Sequence, residues 1–91
     1  MKGKNTMKKF NYVIKDEIGI HARPAGLLVK EAKKYESKIT VGKDGKTAEA
    51  RKLMALMGLS VKCGDEVEVT VEGADEEKAL EEMKLFFETN L

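Results

Sequence analysis

The chain has 91 residues, 42% of them hydrophobic and 36% charged, with a formal net charge of +1. That length fits one small domain near the lower limit for burying its own core, and the composition is that of a globular chain. The near-neutral balance gives no support to binding driven by overall basicity. The lack of a long apolar run excludes a bilayer-spanning helix, so neither nucleic acid nor membrane insertion is expected.

Met1 to Lys9 is lysine-rich and aperiodic. It is expected to be a flexible tail ahead of a single domain at 10–91. Phe10, Tyr12 and Ile14 alternate with Asn11 and Val13, the period of a strand with Tyr12 and Ile14 facing inward. Asp16-Glu17-Ile18-Gly19 is a loop, and a helix is expected from Ala22 or Pro24 to about Glu36, with Leu27, Leu28, Ala32 and Tyr35 on one face. Ile39 and Val41 mark a second strand. Asp44-Gly45 predicts a tight hairpin, because such a turn needs positive φ angles. Lys46 to Ala50 is a weak third strand, either short or at an edge.

Leu53-Met54-Ala55-Leu56-Met57-Gly58-Leu59 is apolar on every side of a two-turn helix. Either it is sunk in the core or part of it faces water as a docking patch. In so small a domain the second reading is preferred, and methionine suits an adaptable contact surface. Val67, Val69 and Val71 alternate with Glu66, Glu68, Thr70 and Glu72 as a half-buried strand. Asp75 then stands where it can cap a last helix whose core face is Ala79, Leu80, Met83, Phe86 and Phe87. The order β-α-β-β-α-β-α predicts an α+β two-layer domain with a largely antiparallel sheet; its β-α-β-β-α-β part alone would also fit ferredoxin-like domains.

The chemistry concentrates in Gly19-Ile20-His21-Ala22-Arg23-Pro24-Ala25, which holds the only histidine and the only proline of the chain. His21 falls at the mouth of the first helix, where unpaired amides and the positive end of the helix dipole favour an anion. Proline is tolerated in the first turn because the amide it lacks has no helical partner. An imidazole is an available nucleophile near neutral pH, and an arginine can fork onto phosphate oxygens. Together they point to phosphoryl transfer through a phosphohistidine. Singly, each residue has a plainer role as a cap, a solvated charge or helix punctuation. The single Cys63 cannot form an internal disulfide and fits a reducing cytoplasm.

These seven residues resemble the active-site segment of HPr, the histidine-containing phosphocarrier of the bacterial sugar phosphotransferase system. The likeness extends to Ile39–Val41, Leu53–Leu59 and the Val-Glu-Gly-Ala-Asp run that ends at Asp75. It implies an open-faced sandwich of four antiparallel strands with three helices on one side. It also implies that His21 accepts a phosphoryl group on Nδ1 from enzyme I, itself charged by phosphoenolpyruvate, and passes it to enzyme IIA of a sugar permease. Arg23 would stabilise the phosphate at the helix start formed by Ala22 and Arg23, and Leu53, Met54 and Met57 would form the docking surface. No metal and no cofactor is implied, and the chain would act as a cytoplasmic monomer that relays a group rather than turning over a substrate. Regulated relatives carry a serine at the start of the second helix, and Lys52 occupies that position here. The alternative is an HPr-like regulator that docks to a partner and whose phosphorylation is read as a signal. A small RNA-binding domain is disfavoured, since the strands lack an aromatic pair for base stacking.

Overall fold

A computed structural model describes residues 7–91. Residues 1–6 of the expected tail lie outside the described residues, but its last three do not: β1 spans Lys8–Val13, so Lys8 and Lys9 belong to the sheet. α1 (Ala22–Ala32), β2 (Lys38–Lys43), β3 (Lys46–Glu49), α2 (Leu53–Gly58), β4 (Glu66–Glu72) and α3 (Glu76–Asn90) follow in turn. The four strands form one antiparallel sheet in the order β1-β4-β2-β3, an α+β open-faced sandwich.

Alternation decides which strand face is covered. Val67, Val69 and Val71 are fully buried, and they pair with Tyr12, Phe10 and Lys8 on one side. On the other side Val69 and Val71 lie opposite Val41 and Ile39. Helix residues Ala25, Leu28, Ala32, Leu56, Ala79, Met83 and Phe87 close over this face. Phe87 meets Phe10, Tyr12 and Phe86 edge-to-face at ring-centroid distances of 5.7, 5.7 and 6.1 Å. Each such pair adds about 0.5–1.5 kcal/mol beyond the area it buries, and the Phe10 and Tyr12 pairs fix α3 against β1. The hairpin turns as its sequence predicts, with φ of 50° at Asp44 and 82° at Gly45. β3 proves to be both short and at the sheet edge.

Three expectations change. α1 stops at Ala32 rather than near Glu36, because the Glu36 and Ser37 amides that would continue it donate to Asp75 instead. The Tyr35 hydroxyl donates to Glu31 Oε2 at 3.0 Å, and the Arg51 guanidinium donates to the Tyr35 carbonyl. The inward face of α1 is Pro24, Ala25, Leu28 and Ala32, while Leu27 is 44% exposed. Asp75 stands at the N-cap position of α3 but makes no side-chain cap bond. Its carboxylate instead accepts the amides of Glu36 (3.1 Å) and Ser37 (2.9 Å) and the Ser37 hydroxyl. The Ser37 hydroxyl is the leading cause that holds the Asp75 carboxyl below its ordinary range. Glu76 reaches back to accept the Gly73 amide at 3.1 Å.

Candidate functional site

His21 is the N-cap residue of α1, with extended angles of φ −120° and ψ −173°. Its carbonyl accepts the Ala25 amide at 2.9 Å, which closes the first helical turn. The side chain makes no cap hydrogen bond, so the ring is not spent on satisfying the helix. Of the first-turn residues, Pro24 has no N–H to offer, which leaves the amides of Ala22 and Arg23 open. No acidic residue occupies that turn to compete for an incoming anion. His21 is half-buried and Arg23 exposed, and no ion pair engages Arg23 among the described residues.

Two supports behind the loop hold His21 in place. On one side the Ile20 amide donates to the Val61 carbonyl at 3.0 Å. Gly19 sits at φ 87°, and a Cβ there would lie 2.3 Å from the Val61 oxygen. The close approach that this glycine permits is therefore to the chain's own backbone. The Val61 segment is tied down in turn: Lys43 Nζ donates to the Ser60 carbonyl and meets Asp65 Oδ2, each at 2.8 Å. The Lys43 ammonium, with the Lys62 amide, holds the Asp65 carboxyl below its usual range. On the other side the Leu91 carbonyl, just past α3, accepts the amides of Lys15 (2.6 Å) and Asp16 (2.8 Å).

The result is an open depression of about 360 Å3 lined by Asp16, Ile18, His21, Arg23, Pro24, Leu27, Thr89 and Asn90. His21 and Arg23 are thus brought together as expected. Sequence reasoning did not place Asp16, Ile18, Leu27, Thr89 or Asn90 there. Leu27 and Ile18 had a signal, since two large apolar residues bracket the histidine. The α3 residues had none, because tertiary packing alone brings them in.

α2 packs against α1, with Leu56 buried beneath it. Leu53 and Met57 are partly exposed and Met54 is 77% exposed, forming an apolar patch outside the depression. Lys52 is the exposed N-cap residue of α2 and makes no side-chain cap bond.

The chain matches the family described as "PTS HPr component phosphorylation site" over residues 8–89. It belongs to the HPr family. It is 42% identical to the phosphocarrier protein HPr of Mycoplasma genitalium over 85 residues, covering 92% of this chain and 97% of that one. The crystal structure of HPr from Bacillus anthracis superposes with a TM-score of 0.84 at 36% identity, covering 91% of this chain and 99% of the other. The family also contains HPr-like relatives. The catabolite-repression protein Crh of Bacillus subtilis, solved as a domain-swapped dimer, matches with a TM-score of 0.74 and 39% identity over 82% of this chain and 86% of its own. A general role as a phosphocarrier of the bacterial phosphotransferase system follows from this membership. No helix among the described residues is long and apolar enough to cross a membrane.

Proposed function

We propose that His21 carries the phosphoryl group, accepting it from phospho-enzyme I and passing it to enzyme IIA of a sugar permease in the cytoplasm. The observation that carries this reading is the uncommitted His21 ring at the mouth of α1, in an open depression shared with Arg23. A ring-nitrogen lone pair of His21, on Nδ1 by resemblance to the family, attacks the phosphorus of the donor phosphohistidine. The new P–N bond forms as the old one breaks, and the electron pair of the old bond returns to the donor ring. Each ring keeps the proton on its other nitrogen, so the transfer needs no acid or base beside His21. Such a site needs anion stabilisation more than proton chemistry. The open amides of Ala22 and Arg23 and the Arg23 guanidinium supply it.

The exposed patch of Leu53, Met54 and Met57 is the proposed docking surface for both partners in turn. A monomer is the proposed working unit, although a relative from Thermoanaerobacter tengcongensis has been solved as an HPr dimer. Lys52 offers no hydroxyl where regulated relatives carry serine, which leaves His21 as the proposed phosphorylation site.

Incubation with enzyme I and labelled phosphoenolpyruvate tests the assignment. The label should be acid-labile and alkali-stable, and it should disappear in His21→Ala while the fold is retained. A label that persists in that variant overturns it. A second reading, as a regulator that docks to its partner, draws on the likeness to Crh. Failure of enzyme IIA to take the phosphate from a labelled protein would favour it.

A further inference from the structure

The depression contains one carboxylate, that of Asp16, and one side-chain guanidinium, that of Arg23. Asp16 is held at three points. Its N–H donates to the Leu91 carbonyl at 2.8 Å, its own carbonyl accepts the Gly19 amide at 3.0 Å, and its Oδ1 accepts the Ile18 amide at 2.9 Å. A carboxylate tied this way keeps its place in the depression when an anion arrives. Asp16 makes no ion pair among the described residues, so Arg23 does not neutralise it. The end of α3 lines the same depression through Thr89 and Asn90, which adds the negative pole of a 15-residue helix.

An anion received at His21 therefore meets attraction from α1 and Arg23, and repulsion from Asp16 and the end of α3. We infer that Asp16 is a tuning residue that destabilises the phosphorylated form of His21 and so favours release of the phosphoryl group to the next carrier. The inference rests on the proposed phosphorylation of His21. In the forward step the P–N bond at His21 breaks, the bonding pair returns to the His21 ring, and the acceptor ring forms the new P–N bond. Asp16 exchanges no proton in this step. It acts only through its charge on a phosphoryl group of about two negative charges.

The test is the equilibrium of phosphoryl exchange with enzyme I, measured for the wild-type chain, Asp16→Asn and Asp16→Glu. Asparagine keeps an oxygen that can accept the Ile18 amide but removes the charge. Its exchange constant should shift toward phosphorylated His21 by about three- to tenfold at low salt, the scale of one charge acting on a dianion across a solvated depression. The shift should shrink as the screening length falls from about 10 Å at 0.1 M to about 3 Å at 1 M salt. Asp16→Glu should stay near the wild-type constant. An unchanged constant in Asp16→Asn, or a change that salt does not alter, overturns the inference, because a merely structural role would give no salt dependence. Should Asp16→Asn fail to fold, Asp16→Ser serves with the same expected shift and the same overturning result. Failure of the phosphoryl-acceptor reading itself is distinct: the wild-type chain would then take no label.

Discussion

At its amino end α1 leaves the amides of Ala22 and Arg23 open and the His21 ring unbonded within the helix cap. Past its carboxyl end, by contrast, polar groups of Tyr35, Glu36 and Ser37 are claimed by other residues. Asp75 takes the Glu36 and Ser37 amides, Arg51 takes the Tyr35 carbonyl, and Glu31 takes the Tyr35 hydroxyl. Burial, reinforced by the Glu31 carboxylate, pushes the Tyr35 phenol well above its ordinary range, so that hydroxyl remains a donor throughout the physiological range. One helix thus has an end whose polar groups are left open and an end whose neighbouring groups are bonded. Unsatisfied polar groups cost stability where they are buried, and here they are confined to a rim that water or phosphate can reach.

The contrast can be broken at either end. At the open end, Arg23→Ala should slow phosphoryl transfer about ten- to a hundredfold, the rate equivalent of one charge-assisted hydrogen bond of roughly 1.5–3 kcal/mol. Its melting temperature should not move, since the exposed guanidinium makes no ion pair among the described residues. Stopped-flow transfer assays beside thermal melts check both halves. Met54→Glu should weaken binding to enzyme I by about tenfold, as expected when an apolar contact is lost from an interface. It should fold normally, and an unfolded variant would assign Met54 to the core instead.

At the closed end the signs reverse. Asp75→Ala should lower stability by about 2 kcal/mol, because three donors lose a charged acceptor, while transfer from enzyme I keeps its wild-type rate. Urea melts and the same transfer assay separate these outcomes. The smallest effect is in acid. The folded Asp75 carboxyl titrates below its ordinary value of 3.8, so as pH falls the unfolded chain takes up that proton first. The stabilisation that Asp75 gives is complete above that value and is lost as pH drops through it toward the depressed folded value. The stability gap between wild type and Asp75→Ala should therefore narrow across that window, and a gap independent of pH would contradict the assignment.

The open end was legible in the sequence because its chemistry is local: histidine, arginine and proline within four residues define a helix start whatever the rest of the chain does. Valines alternating from Val67 to Val71, and the Asp44-Gly45 turn, were legible for the same reason. The closed end was not. Asp75 lies 38 residues from Ser37 and reads as an ordinary helix cap until packing turns its carboxylate toward the α1–β2 connection. Leu27 carried the apolar signature of the core, yet its position one residue before Leu28 puts it on the rim of the depression. Thr89 and Asn90 reached the site only because the aromatic contacts of Phe87 hold α3 against β1.

The strand order has a consequence for synthesis. Among the described residues β1 pairs only with β4, so it waits for Val67–Val71 to be made before it has a neighbour. Long-range pairing of this kind must meet the entropy of closing a loop before any contact offsets it. The His21 loop waits longer still, since one of its two supports is the Leu91 carbonyl, which follows α3 in the chain. A nascent chain that exposes His21 before α3 has formed therefore holds the imidazole without the backbone that seats its loop.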